Sequence, residues 1–155
     1  MTTLINRVPL NLFALILFYL ISCSLQAQTE FNGKGISGQW RVVDVKTDEV
    51  LRIMEIWEKD GLYHAKIVSL PNLSEQEAAA ASCKKCPDKQ KGQPLLNMQL
   101  VRNLKKEGDK LSEGEIIDIL KGKVYKCAMW LENEDRLKVR TLVPLIFKDE
   151  VWFRK

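Results

Sequence analysis

The sequence predicts an all-β protein, a small antiparallel meander barrel with one short helix inserted near residues 74–82. Three observations support this fold class. Short segments alternate between apolar and polar side chains, turn signals containing glycine separate them, and tryptophan-bearing segments stand at the two ends, Gly38-Gln39-Trp40 and Trp152-Phe153-Arg154. Roughly eight strands at this spacing are typical of a meander that closes into a barrel.

An apolar leader precedes the first predicted strand. Arg7 is the only charged residue before Glu30, and an uninterrupted apolar run of 10 residues covers positions 12–21. This run is short for a membrane span and has the usual length of the apolar region of a signal peptide. We therefore predict a signal peptide over residues 1–27 and a single β-barrel domain over residues 28–155.

Two processing sites compete within this leader. Cleavage after Ala27 is the preferred interpretation. Alternatively, Leu20-Ile21-Ser22-Cys23 has the form of a bacterial lipobox, in which Cys23 becomes the lipidated first residue. Both interpretations predict an exported protein that is periplasmic or associated with the outer membrane. Contact with a membrane is expected only through a lipid on Cys23.

The charge composition argues against a nucleic-acid-binding protein. The chain of 155 residues has 24 basic and 20 acidic side chains, a net charge of +4, and the two signs are mixed along it. One basic cluster consists of Lys84, Lys85, Lys89 and Lys91. We interpret it as a solvated loop, with an anionic partner as the alternative.

The first strands alternate clearly. The segment 50–57 carries Arg52 on one face, and the other face carries Leu51, Ile53 and Trp57. Asp60-Gly61 is a hairpin signal, and the segment 62–70 follows it. One face of that strand carries Tyr63, Ala65 and Ile67, and the other carries His64 and Lys66.

A helix is predicted after these strands. Ser74-Glu75-Gln76-Glu77 has the pattern of a capping box, and the alanines that follow favour a helix over residues 74–82. Pro87 and Gly92 are expected to end it. Further turns at Glu107-Gly108-Asp109, Lys121-Gly122-Lys123 and 132–135 delimit strands at 115–120, 124–131, 137–142 and 146–153.

The cysteines are the sharpest chemical candidates. Cys83, Cys86 and Cys127 remain after cleavage at Ala27, and an odd number leaves one thiol unpaired. We rank a loop-stapling disulfide first, with the pairing left open. A zinc site formed by these three cysteines and His64 is the second interpretation, although it needs reduced thiols. Redox catalysis is third, because the CxxC follows the predicted helix and does not precede it.

The sequence does not predict an enzyme or a cofactor. A single histidine excludes a site with several histidine ligands, and neither a glycine-rich phosphate loop nor a nucleophile elbow is present. Glu113, Glu115 and Asp118 form an acidic cluster near a turn. We interpret this cluster as a solvated strand end and not as a catalytic carboxylate pair.

Several short motifs together resemble the bacterial exported domain-of-unknown-function family 2147. The motifs occur in the order of that family, and they are Gly38-x-Trp40, Cys83-x-x-Cys86, Gly114-x-Ile116-x-Asp118, Gly122-Lys123-x-Tyr125-x-Cys127, Leu137-x-Val139-Arg140 and Trp152-x-Arg154. The resemblance covers residues 36–155. It implies a lipocalin-like (calycin-like) barrel and an extracytoplasmic location.

The resemblance also implies roles for the two ends. In calycin barrels the tryptophan of Gly-x-Trp closes one end and is crossed by an arginine from the last strand. Trp40 and Arg154 match these positions, and a shielded cation–π pair contributes about 1 kcal/mol or more. We therefore interpret Gly38, Trp40, Trp152 and Arg154 as a structural signature and not as ligand-binding residues.

The function predicted from the sequence is the binding of a small apolar or amphipathic molecule in the barrel mouth. One alternative is a filled barrel that acts as a structural or interaction module of the envelope. The other is a thiol-redox or zinc-binding protein that uses Cys83 and Cys86.

Overall fold

The computed structural model describes residues 35–155. The signal peptide predicted over residues 1–27, with its processing sites at Ala27 and Cys23, lies outside the described residues. Eight antiparallel strands form a closed barrel in chain order, which confirms the predicted all-β class. The strands are β1 (Gly38–Val43), β2 (Val50–Lys59), β3 (Leu62–Ser69), β4 (Gln99–Glu107), β5 (Lys110–Asp118), β6 (Lys123–Asn133), β7 (Arg136–Val143) and β8 (Ile146–Arg154).

Several strands extend beyond the alternating segments that predicted them. The β2–β3 ladder continues to the pair Lys59–Leu62, and the β4–β5 ladder continues to the pair Glu107–Lys110. Strand β4 has no counterpart among the predicted segments, and β5 begins before residue 115 and ends at Asp118, not at 120. Backbone hydrogen bonds carry the added pairs, so the strands persist beyond the apolar alternation. Within residues 35–155 the structure has no helix with the length and apolar character needed to cross a membrane.

The inserted helix is shorter than predicted. Helix α1 covers Glu75–Ala80, and the capping box at its start is present: Ser74 N–H donates to Glu77 Oε2 at 2.9 Å. The helix ends before residue 82 because the following backbone pairs elsewhere. Cys83 N–H donates to Gln93 O, and Leu95 N–H donates to Ala81 O, both at 2.9 Å. These bonds fold residues 81–95 into a narrow loop.

The connections divide the barrel into two ends. The β2–β3, β4–β5 and β6–β7 turns lie at one end with the start of β1 and the end of β8. This is called the closed end. The other end carries the β1–β2 connection, the β3–β4 connection with α1, and the β5–β6 and β7–β8 turns. This is called the open end.

Large apolar side chains fill the middle and the closed half of the barrel. The fully buried ones include Trp40, Met54, Ile67, Leu104, Met129, Leu137 and Trp152. Gly114 is part of this packing, because a Cβ at that position would lie 2.4 Å from Leu104 Cγ. This tight fit leaves no room for a ligand near the closed end, so any ligand site must lie toward the open end.

The barrel closes through a short seam. Strand β1 pairs with β8 over three residue pairs, from Trp40–Arg154 to Val42–Trp152. Toward the open end, the described part of β8 from Val151 back to Ile146 has ladder partners on β7 alone. The edge of β8 that faces the β1–β2 connection is therefore unpaired in this stretch.

Candidate ligand-binding site at the open end of the barrel

Arg52 points into the barrel. On β1, Val42 is the direct ladder partner of Arg52 on one side and of Trp152 on the other. Direct partners share a face of the sheet, and Val42 and Trp152 are buried in the core. The face of β2 that carries Arg52 is thus the inner one. Sequence alternation separates the two faces of β2 but does not tell which of them is inside, since both carry apolar residues.

Strand β8 contributes two further charged groups to the interior. Lys148, Glu150 and Trp152 share its inner face, because side chains two residues apart lie on the same side of a strand. Lys148 Nζ donates to Glu150 Oε1 at 2.8 Å. Arg52 Nη2 lies 4.0 Å from Glu150 Oε2, which is too long for a hydrogen bond. The glutamate therefore has one close basic partner and one distant one.

The three charged side chains differ in their hydrogen bonding. Arg52 Nε is buried and has no hydrogen-bond partner among the described residues. Burial lowers the pKa of Arg52, while the charges of Glu150 and Asp118 oppose this effect. Burial alone would raise the pKa of Glu150, but the hydrogen bond and charge of Lys148, with the charge of Arg52, lower it overall. Glu150 is therefore a carboxylate at neutral pH.

These groups line a cavity of about 720 Å³ that extends from the open half of the barrel through the seam to outward-facing residues such as Leu51, Arg136 and Phe153. Its apolar lining includes Val42, Met54, Leu100, Ile116 and Trp152. Its polar lining includes Arg52, Asp118, Tyr125, Thr141, Lys148 and Glu150. The lining also includes Val43 and Val151, so the cavity reaches the unpaired stretch of the seam.

The rim of the open end is unusually apolar. Three of its four connections present an exposed aliphatic side chain: Val45 is 94% exposed, Leu120 is 77% exposed and Leu145 is fully exposed. Ile146 and Phe147, at the start of β8, are also exposed. Val45 and Leu120 line the cavity itself. Apolar groups clustered at the mouth of a cavity are a common feature of sites that receive apolar ligands.

A second hollow, of about 570 Å³, lies mainly against the outer faces of β6–β8. Its charged groups are already paired. Lys105 Nζ donates to Glu113 Oε2 at 2.6 Å, and Arg140 makes two hydrogen bonds to Asp149, at 2.8 and 2.7 Å. The inner cavity, in contrast, contains a buried donor without an acceptor. It is therefore the stronger candidate site.

Three of the structural signature residues, Gly38, Trp40 and Arg154, lie at the closed end, whereas Trp152 also belongs to the lining of the cavity. Trp40 is fully buried, and its Nε1 donates to Ile36 O at 2.8 Å. The Arg154 guanidinium lies 4.2 Å from the centre of the Trp40 ring. Its Nε donates to Glu134 O at 2.5 Å and its Nη2 donates to Gly35 O at 3.2 Å. This arginine links the last strand to the β6–β7 turn and to the segment that precedes β1.

Gly38 is needed for its backbone conformation. Its φ is +124°, a region that residues with a side chain rarely adopt. Trp152 is 1% exposed and packs within the core, two ladder pairs from the pair Trp40–Arg154. None of the four signature residues contributes a charged group to the open half of the barrel.

The predicted disulfide is present, and it joins Cys83 to Cys86. Both residues are 2% exposed, and Lys85 between them packs against Gly122 in the β5–β6 turn. Cys127 is the free cysteine of the described residues, and burial raises the pKa of its thiol to about 12. At neutral pH this thiol is protonated, which makes it a poor nucleophile.

The structure does not assemble the alternative zinc ligands. Cys83 and Cys86 are bonded to each other, so neither is a free thiolate. His64 lies on the outer face of β3, where its Nδ1 accepts from Asn103 N–H at 3.3 Å and lies 2.9 Å from Gln99 Nε2. Across residues 35–155, no three histidine, cysteine or acidic side chains are grouped closely enough to hold a metal ion.

The acidic cluster near the end of β5 is dispersed among separate partners. Glu113 pairs with Lys105, and Glu115 Oε2 accepts from Arg102 Nε at 2.9 Å. Asp118 Oδ1 accepts two backbone N–H groups of the β5–β6 turn, at 3.0 and 2.9 Å. Each carboxylate therefore has a structural partner of its own.

Residues 38–154 match domain-of-unknown-function family 2147, described as an uncharacterized protein conserved in bacteria. The chain belongs to this family. Membership confirms the resemblance that the short motifs indicate, and it extends from Gly38 to Arg154. No curated protein matches the chain.

A solved structure has the same fold as this member of family 2147. It is described as protein HP1028 from the human pathogen Helicobacter pylori, belonging to the lipocalin family. The two chains are 17% identical, with a TM-score of 0.65, and the similarity covers 77% of this chain and 82% of that chain. At this level of identity the similarity establishes the lipocalin-like fold alone.

Sequence reasoning missed the charged residues of the cavity. A signal for two of them was present, because alternation from the buried Trp152 places Glu150 and Lys148 on the same face. No pattern in the sequence indicated that Arg52 faces the interior. Its strand has a register shift between Ile53 and Met54, and both of these residues are buried.

Proposed function

We propose that this protein binds a small amphipathic molecule in the open half of its barrel and has no catalytic role. The observation that carries the proposal is the cavity of about 720 Å³ at the open half and along the seam, which combines apolar lining residues with a group of charged ones. This volume lies within the range of about 300–1,000 Å³ that is usual for small-ligand sites. The lipocalin-like fold is consistent with such a role.

The composition of the cavity favours an amphipathic ligand over a purely apolar one. Ile116, Val143 and Leu120 are partly or largely exposed in the cavity and offer apolar surface to the tail of a ligand. Arg52, Lys148 and Glu150 would be desolvated by an apolar ligand without gaining new hydrogen bonds, which is unfavourable. A ligand with a polar head group meets both parts of the lining.

A neutral apolar fluorophore tests whether the cavity binds ligands. N-phenyl-1-naphthylamine should bind the full protein with a rise in its fluorescence. Replacing the cavity-lining Thr141 by phenylalanine should weaken binding about tenfold or more, because the new ring occupies the space that the probe needs. The matched control is Leu142→Phe on the outer face of the same strand, which should bind like the wild type.

Two outcomes would contradict the proposal. One is equal binding by Thr141→Phe and Leu142→Phe, which would mean that the probe binds elsewhere. The other is no binding of any apolar or amphipathic probe by the folded wild type. That second result would favour a filled-barrel module of the envelope.

We also propose that the protein is exported, with a mature chain that begins after Ala27 or at a lipidated Cys23. The supporting observation is the apolar run of 10 residues with one preceding basic residue. Mass spectrometry of the N-terminus in envelope fractions should find neither Met1 nor the leader. Labelling with palmitate that is lost in Cys23→Ala would identify the lipoprotein, and finding Met1 in the envelope fraction would contradict export with cleavage.

A further inference from the structure

The interior of the barrel contains a cationic donor that the protein itself does not satisfy. Arg52 Nε is buried without a hydrogen-bond partner among residues 35–155, and the contact from its Nη2 to Glu150 is 4.0 Å long. Buried donors are nearly always paired in folded proteins, and a charged one is especially costly to leave unpaired. Arg52 therefore lacks an acceptor at the place where it lines the cavity.

The nearest carboxylate is committed to another residue. Glu150 Oε1 accepts from Lys148 Nζ at 2.8 Å, a full hydrogen bond. Asp118 uses Oδ1 to accept two N–H groups of the β5–β6 turn. Within the inward group of Arg52, Lys148 and Glu150, two positive charges face one negative charge, and the charge of Asp118 also acts on Arg52. Lys148 is largely exposed to solvent, whereas Arg52 is largely buried and keeps one N–H group without an acceptor.

From this arrangement we infer that Arg52 binds the head group of an amphipathic carboxylate whose apolar tail packs against the partly exposed Ile116 and Val143. This inference rests on the binding function proposed above and names its ligand class. The planar guanidinium has several N–H donors at fixed angles, which match the two oxygens of a carboxylate. The partly exposed apolar lining of the cavity accommodates the tail.

The position of Arg52 suits this role. Its ladder partner Val42 is small, so the guanidinium and Glu150 reach toward each other across it from β2 and β8. This is the stretch of the seam where β8 has no partner on its β1 side. The head group would therefore lie where the cavity opens, and the tail would extend along the apolar lining of the cavity. The exposed Val45 and Leu120 at the rim offer apolar surface to a ligand that enters the cavity.

The experiment compares ligands that differ in head group alone. Dodecanoate and dodecanol are titrated calorimetrically into the full protein, its Arg52→Met variant and the matched control Arg41→Met. Arg41 lies on the exposed face of the adjacent strand β1. Thermal unfolding of each variant checks that it is folded.

The expected result is a loss of carboxylate preference in one variant alone. The wild type and Arg41→Met should bind dodecanoate more tightly than dodecanol. Arg52→Met should lose roughly tenfold to a hundredfold in dodecanoate affinity, the usual worth of a charge-assisted hydrogen bond, and keep its dodecanol affinity. Equal binding of the two ligands by the wild type, or an unchanged preference in Arg52→Met, would overturn the inference.

A second variant keeps the test valid if Arg52→Met does not fold. Glu150→Gln removes the one negative charge of the inward group, so dodecanoate should bind severalfold more tightly and dodecanol should be unaffected. Weaker or unchanged dodecanoate binding in folded Glu150→Gln would also overturn the inference. Failure of the binding function itself looks different, because the folded wild type would then bind neither dodecanol nor N-phenyl-1-naphthylamine.

Discussion

The backbone carbonyl of Lys85 lies against Gly122 so closely that a Cβ at position 122 would be 1.8 Å from Lys85 O. Lys85 belongs to the disulfide loop, and Gly122 belongs to the β5–β6 turn. The two segments are distant in sequence, and their contact holds the loop onto the open end of the barrel. Because the clashing atom is backbone, no rotation of a side chain can relieve the overlap.

We predict that Gly122→Ala destabilises the protein more than Gly108→Ala does. Both glycines have positive φ in hairpin turns, +68° and +61°. An alanine in this conformation costs about 1–2 kcal/mol. No heavy atom lies within 4 Å of the position that a Cβ at residue 108 would occupy. An alanine at residue 122 must also displace the backbone of Lys85, and this overpacking adds roughly 1–3 kcal/mol to the loss of stability. Urea denaturation measures both losses, and equal losses would contradict the contact.

Reduction of the Cys83–Cys86 bond is expected to loosen the loop and leave the barrel folded. The bond closes a short loop outside the strand ladders, so it orders residues 83–94 and not the barrel core. Limited proteolysis should show faster cleavage within residues 83–94 on adding reductant, while the β-sheet circular dichroism stays unchanged.

The control for reduction is the double variant Cys83→Ser with Cys86→Ser. It should be cleaved at the faster rate with or without reductant. Loss of the β-sheet signal together with loop cleavage would show that the bond supports the whole barrel, contrary to the expectation.

Trp40 and Arg154 should show energetic coupling. Trp40→Ala removes a fully buried indole and is expected to lower the free energy of unfolding by about 3–5 kcal/mol. Arg154→Ala should have a smaller effect, since the guanidinium is partly exposed. Because the two groups stack at 4.2 Å, the double variant should lose less than the sum of the single losses. Strict additivity in a denaturation cycle would contradict the stack.

Acid should remove the stabilisation that Glu115 provides. Hydrogen bonds from Arg102, and next from Lys126, lower the pKa of Glu115 in the folded protein. Its contribution to stability is therefore complete above the unfolded-state pKa of about 4.3 and is lost as the pH falls through the lower folded-state pKa. Glu115→Gln should lower the melting temperature at pH 7 and converge on the wild type in acid.

The matched control for the acid experiment is Glu75→Gln. Glu75 is exposed in the first turn of α1 and forms no ion pair among the described residues. Its replacement should change the melting temperature less at pH 7 than replacement of Glu115. A constant difference between Glu115→Gln and the wild type from pH 7 down to acid would contradict the ion-pair account.

The sequence alone determined the fold class, the turns and the start of the helix. These features depend on local rules: side chains alternate along a strand, Asp60-Gly61 favours a hairpin, and Ser74 with Glu77 forms a capping box. Each rule acts over a few residues, so each is readable without knowledge of the rest of the chain. The family motifs extended this local information to the two ends of the barrel.

Only the tertiary structure decided which face of β2 is inside, which cysteines pair and where the barrel remains open. Arg52 faces inward because β2 pairs with β1 in a register that aligns it with Val42, and β1 in turn aligns Val42 with Trp152. That alignment joins strands from opposite ends of the chain. Its free energy comes from closing the whole barrel around a filled core, which no local pattern in the sequence encodes.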